Sequence, residues 1–221
     1  QGVLMFFPYK DDNPRVLIPY VTYGLIVINV IVFLFQFNMG IKDPEAEYIF
    51  IYTFGLIPSE FSILTIFTSM FLHGGIAHIL GNMWFLWIFG DNVESTLGHK
   101  RYALFYILCG VVAALCQVLM NPESQIPMVG ASGAIAGVLG LYMIRFPQAR
   151  VHVFIFIIIF FTTIRVPASF VLGFWFFNQL TNGMGSLGLD TTGGVAWFAH
   201  VGGFITGIML HQAFKLIRLE K

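Results

Sequence analysis

Ser132 stands in the run Gly130-Ala131-Ser132-Gly133 at the head of an apolar segment, and His200 follows Ala199 just ahead of Gly203 and Gly207 in a later one. A serine hydroxyl is a poor nucleophile until a base removes its proton, and neutral imidazole does this near physiological pH. Together the two residue types could carry acyl transfer through a serine ester. His78 and Asn82 are four apart, so on a helix they share one face and could both donate to an oxyanion. Each residue also has a packing alternative. His and Asn bridge helices inside membranes, and a serine among small residues lets two helices come close.

The elements that hold these residues are apolar. Of 221 residues 57% are hydrophobic, 17% aromatic and 10% charged, far from the balance of an ordinary soluble domain. An integral, polytopic membrane protein of the all-α class is expected. A crossing needs about 20 mostly apolar residues, and six candidates lie at about 18–37, 70–90, 102–120, 131–145, 166–181 and 194–216. The first lacks a small-residue cleavage site and is expected to remain as a span. With no long linker or internal repeat, residues 1–221 read as one six-span domain.

Basic residues test that count, because Lys and Arg concentrate in cytoplasmic loops. Lys10, Arg15, Lys100, Arg101, Arg145, Arg150, Lys215, Arg218 and Lys221 fall on one side and Lys42 alone on the other, with Arg165 unassigned. Both termini are therefore expected in the cytoplasm, and the number of spans is even. The bias suits a bacterial plasma (inner) membrane and leaves organellar and archaeal membranes open. Only one crossing fits within 151–181. It is assigned to about 166–181, and the apolar run Val151 to Thr163 is expected to be interfacial or re-entrant. The long connection 38–69, polar and aromatic by turns, suits a segment lying in the lipid interface.

Span directions then give depth. The second, fourth and sixth spans each start from the outer side, so His78, Asn82, Ser132 and His200 fall between the outer rim and about the midplane, roughly 5 to 18 Å deep at about 1.5 Å per residue. Ionisable and amide groups at such depth mark functional sites by default. Asn29, Gln117 and His211 stand singly and read as helix-bridging groups or span ends. Gly133-xxx-Gly137 and Gly203-xxx-Gly207 let the fourth and sixth spans approach closely enough for a Ser132–His200 hydrogen bond.

No acid is available beside His200, since Asp91 and Glu94 lie at the inner end of the second span and Asp190 in the last outer loop. A dyad with packing orienting His200 is expected in place of a triad. The missing carboxylates and the missing HExxH pattern argue against aspartyl and zinc chemistry, and no metal or cofactor is expected. The oxyanion hole would use the Ser132 backbone N–H with Asn82 and His78. Cys109 and Cys116 read as small buried side chains.

These residues resemble the rhomboid intramembrane serine proteases. The matching pieces are His73-Gly-Gly-Ile-Ala-His78-Ile-Leu-Gly-Asn82, Gly130-Ala-Ser132-Gly133 and Ala199-His200-Val-Gly-Gly203-Phe-Ile-Thr-Gly207, with Glu94 and Gly98 at the end of the second span. The resemblance implies a six-transmembrane-helix bundle with a long membrane-embedded first loop at 38–69. It implies Ser132 as nucleophile, His200 as general base, and His78 and Asn82 as oxyanion donors. It also implies a lateral gate helix at about 166–181, carrying Trp175 and Gln179. The implied partners are membrane lipid and single-span protein substrates cut near the outer face, with no nucleic acid. Two departures stand out. Leu64-Thr65 occupies the place of a Trp-Arg pair, and Ala136 the place where some members carry a tyrosine.

Two other classes compete. A non-catalytic rhomboid-like protein would bind membrane segments without cutting them, although this chain keeps both halves of a nucleophile-base pair. A small transporter would call for repeat symmetry or a pathway of charged residues, and neither is present. Substrate identity and oligomeric state have no signature in the sequence.

Overall fold

The computed structural model describes residues 4–157, 160–186 and 195–214, so Asp190, Lys215, Arg218, Lys221 and both ends of the expected 194–216 segment lie outside the described residues. The chain is mostly helical. In order come β1 (Leu4–Asp11), α1 (Tyr20–Lys42), α2 (Pro44–Phe54), α3 (Ile63–Thr68), α4 (Ile76–Leu97), α5 (His99–Met120) and α6 (Ser132–Arg145). After these come β2 (Arg150–Ile157), β3 (Phe160–Pro167), α7 (Ala168–Ser186) and α8 (Trp197–Ala213). Six of the helices correspond in position to the six expected segments. By length and apolarity alone α1 and α5 can cross a membrane, and a third crossing arises if the bent pair 63–71 and 76–97, 89° apart, counts as one.

α1 and α5 expose Val27, Ile31, Leu34 and Phe35, and Leu104, Ile107 and Leu115, as helices bathed by lipid do. The core is built where α6 meets its neighbours. Ten consecutive residues of α6, Gly133 to Tyr142, are buried. A Cβ on Gly203 would collide with the Gly133 carbonyl, and one on Gly207 with the Gly137 carbonyl, so α6 and α8 touch backbone to backbone as the paired glycines require. Cys109 and Cys116 are free thiols of α5, their sulfurs against Gly137 and Gly202.

α1 begins without a side-chain cap of its own. The orphan amides of its first turn are satisfied by the fully buried Glu94 of α4, which accepts from Val21 N (2.9 Å), Thr22 N (2.8 Å) and Thr22 Oγ1 (2.7 Å). His99 Nδ1 lies 2.6 Å from the same carboxylate. Gly98, at φ +74°, makes the tight passage from α4 to α5 that brings His99 there.

The strictly all-α class is corrected, because the run at 151–163, expected to be interfacial or re-entrant, contributes β-strands. Antiparallel β2 and β3 form a hairpin, and β1 from the chain's start pairs with β2 in the sheet order β1-β2-β3. Val151 and Val153 point inward and are buried. β1 is tied to α4 by Trp84 Nε1, which donates to the Pro8 carbonyl (2.8 Å), and by the Phe7–Trp84 ring contact. The sheet escaped the sequence reading because its apolar run lacks the two-residue alternation of a half-buried strand, and because β1 lies about 140 residues from its partner. Residues 166 and 167, expected to open a crossing, belong to β3, and Arg165 is exposed on that strand.

Candidate active site

Ser132, His200, His78 and Asn82 come together at one end of the bundle, where α6, α8 and α4 begin. A cavity of about 620 Å³ opens there, bounded by Asn82 and Phe85 of α4, Ser132 of α6, Trp175 of α7 and His200 of α8. α7 packs on α8 and α6 and makes no extensive contact with α4 among the described residues, and Phe85 of α4 and Trp175 of α7 both line the cavity.

Ser132 is the first residue of α6, so its amide and those after it belong to the unpaired first turn. The strand of chain before it is held by two backbone bonds between Leu56 and Met128 (3.0 and 2.8 Å) and by Gly130 N–H on the Ser69 carbonyl (2.9 Å). The segment 56–69 thus fixes where α6 starts. Ser132 is half-buried, which leaves it open to a small reactant.

His200 is buried in the first turn of α8. The preceding amide, Ala199 N–H, donates to Gln117 Oε1 of α5 (3.2 Å), so Gln117 bridges helices as its sequence position implies. Asn29, read the same way, instead donates to Leu25 O within α1. The His200 ring makes two hydrogen bonds: Nε2 to Ser132 Oγ at 2.8 Å and Nδ1 to Gln179 Oε1 at 2.7 Å. The direction of both follows from Gln179. Its Nε2 donates to the Trp175 carbonyl (3.3 Å), which turns Oε1 toward His200. An amide oxygen only accepts, so Nδ1 carries the proton and Nε2 offers its lone pair to the Ser132 hydroxyl.

The expectation that packing alone orients the histidine is therefore corrected, because a side-chain amide also holds it. Packing adds to it: the Trp175 ring lies 5.8 Å away at a 38° tilt and Trp197 meets the ring edge-on at 6.4 Å. Ala136, in the place of a stacking tyrosine, packs against Gly203 instead. Trp175 and Gln179 sit four apart on an apolar helix, a signal that a lone amide in such a segment could have given.

His78 Nδ1 accepts from the Gly74 amide (3.3 Å), so in the neutral ring Nε2 is the donor. Asn82 is buried, and its Nδ2 has no hydrogen-bond partner among the described residues. Both groups point at the backbone just before the serine. A Cβ on Gly130 would stand 2.8 Å from His78 Nε2 and 3.5 Å from Asn82 Nδ2, and the residue adopts φ +125°, so only glycine leaves this space clear. A buried amide donor without an acceptor costs about 1–3 kcal/mol. Two convergent donors thus lie beside an unpaired helix terminus, the kind of arrangement that can receive a negative oxygen. Leu64 and Thr65 lie on α3, away from these donors, Leu64 exposed and Thr65 bonded to the Ser62 carbonyl. No group of three His, Cys, Asp or Glu among the described residues could hold a metal.

The family model for the Rhomboid domain matches residues 60–215, which includes all four of these residues. Rhomboid protein 1, mitochondrial, of Saccharomyces cerevisiae is 29% identical over 156 residues, 68% of this chain and 42% of that protein. Rhomboid protease GluP of Bacillus subtilis is 32% identical over 123 residues, 55% of this chain and 24% of that protein. RHOMBOID-like protein 6, mitochondrial, of Arabidopsis thaliana is 30% identical over 146 residues, 65% of this chain and 41% of that protein. The chain thus spans less than half the length of these relatives.

Proposed function

Because the chain belongs to the rhomboid family, we propose that it is an intramembrane serine endopeptidase that cuts single-span membrane proteins near one face of the bilayer. The observation that carries this reading is the 2.8 Å hydrogen bond from Ser132 to His200 inside a cavity that also receives Asn82 and His78.

In this reading His200 Nε2 takes the Ser132 proton while Oγ attacks the scissile carbonyl carbon. The negative oxygen is received by the Ser132 amide, Asn82 Nδ2 and His78 Nε2. The C–N bond then breaks, and His200 returns the proton to the leaving amine. Water, activated by the same imidazole, hydrolyses the acyl ester and restores the serine.

Six crossings, by α1, α4, α5, α6, α7 and α8, accommodate this chemistry, with 38–69 lying along the outer interface. α6 has 14 residues and spans about 21 Å, short of a hydrocarbon core of about 30 Å. With its far end at the inner rim, Ser132 lies below the outer surface, and the wet cavity above it supplies water. The basic side of the chain then faces away from the site. Two of the three relatives carry mitochondrial names and one is bacterial, so the bacterial plasma membrane is not carried forward as the compartment.

The test is cleavage of a reconstituted single-span substrate by wild type, Ser132→Ala and His200→Ala, with fluorophosphonate labelling of Ser132 alongside. Cleavage and labelling by wild type alone are expected. Undiminished cleavage in either variant overturns the mechanism, and a wild type that binds the span but neither cuts nor labels would be the non-catalytic relative.

A further inference from the structure

We infer that Gln179 is a positioning residue for His200, and that the base is competent only while α7 is seated against α8. This rests on the reading of His200 as general base and adds to it what selects the tautomer. In a neutral imidazole one nitrogen is a donor and the other an acceptor, and only the form with a bare Nε2 can take the Ser132 proton. Gln179 is itself buried, and its amide is held against reversal by the Trp175 carbonyl, since turning it over would face two oxygens at 3.3 Å. Its oxygen, 2.7 Å from Nδ1, therefore selects the bare-Nε2 form.

No acidic group performs this task. Among the described residues no carboxylate is paired with the His200 ring, whose two nitrogens are taken by Gln179 and Ser132. The amide orients the ring without adding a charge in a place where charge is costly.

The acceptor belongs to the helix that walls the cavity. α7 exposes Phe170, Phe174 and Phe177 on its far side and buries only a narrow stripe, Gln179 and Gly183 among it. These two are four apart and share a face. A Cβ on Gly183 would lie 3.2 Å from Trp197 Cβ and 3.4 Å from the Phe198 ring, so at this level α7 and α8 are in full contact. A displacement of α7 that carries Trp175 away from Phe85 across the cavity also draws Gln179 from His200. Entry of a membrane segment and readiness of the base are thereby alternatives, and the site completes itself when α7 settles back.

The test uses the full chain in lipid nanodiscs with three variants. Gln179→Leu keeps the volume and removes the acceptor, Gln179→Glu keeps an acceptor, and Gly183→Leu wedges α7 from α8 at Trp197 and Phe198 while leaving the Gln179 side chain itself intact. The side-chain ¹⁵N spectrum of His200 reports which nitrogen is protonated, and turnover of a single-span substrate gives kcat and KM. Wild type is expected to show a protonated Nδ1 alone. Gln179→Leu and Gly183→Leu should mix the tautomers and lower kcat at least about 10-fold, the lower end of the loss when a metal-ligating histidine is deprived of its outer hydrogen-bond partner, at little change in KM. Gln179→Glu should recover most of kcat. An unchanged ¹⁵N pattern and kcat in Gln179→Leu overturns the positioning role, and the same result in Gly183→Leu overturns the link to α7. Because the spectrum needs no turnover, it decides the tautomer even if the wild type proves inactive, which would instead remove the protease reading.

Discussion

At the Gly98 end of the bundle the buried Glu94 carboxylate is surrounded by donors, two amides and a hydroxyl from α1 and the His99 ring. At the Ser132 end the buried Asn82 Nδ2 has no partner among the described residues, and His78 offers its second nitrogen to a cavity. Both regions place polar groups within an apolar bundle, and both carry the cost of desolvating them. One region recovers that cost inside the fold. The other leaves a donor unpaired at the cavity, where the proposed reaction would place a negative oxygen. A satisfied carboxylate holds α1 to α4, and at the other end an unpaired amide donor borders the cavity.

The contrast breaks most sharply at the serine. Ser132→Ala should lower cleavage at least about 10⁴-fold while leaving thermal stability within about 0.5 kcal/mol, read by turnover and by unfolding of the same preparation. Asn82→Ala should cost about 100- to 1,000-fold in kcat, and stability should hold or rise because an unpaired buried donor is removed. A stability loss larger than the rate loss would make Asn82 a structural bridge. Glu94→Ala is the mirror case: three α1 donors lose their acceptor, so unfolding should become easier by about 2–3 kcal/mol, with kcat per folded molecule unchanged.

The smallest effect belongs to Asp11, whose carboxylate accepts from Tyr142 OH and, at 3.3 Å, from Asn92 Nδ2. Burial, with the nearby Asp91 carboxylate adding to it, pushes Asp11 up to about 6 from 3.8. Between these values the folded chain holds a proton that the unfolded chain has released. The contribution is complete below about 3.8 and is lost as pH rises through about 6. The melting temperature should therefore fall from pH 5 to pH 7, and Asp11→Asn should flatten that slope. A slope equal to wild type would show that the sheet-to-bundle contact does not titrate.

Much of this was legible in the residues because membrane physics leaves few choices. A backbone in lipid must satisfy its own hydrogen bonds, so apolar runs of adequate length become helices, and six expected segments correspond to α1, α4, α5, α6, α7 and α8. The glycine pairs on α6 and α8 declared their contact because only small residues let two backbones touch. The sheet was hidden because strand pairing between residues 4–11 and 150–157 is non-local, and a continuous apolar run does not declare its period.

The sequence by itself determined the polar residue types, their spacing along each helix and the end of the bundle to which they belong, since these follow from chain order and helical repeat. Tertiary structure alone decided that Ser132 Oγ and His200 Nε2 stand 2.8 Å apart, that Gln179 takes the other nitrogen, and that Gly130 keeps the space before His78 and Asn82 clear. Hydrogen bonds are settled within tenths of an ångström, and that distance is fixed by how separate helices seat on one another.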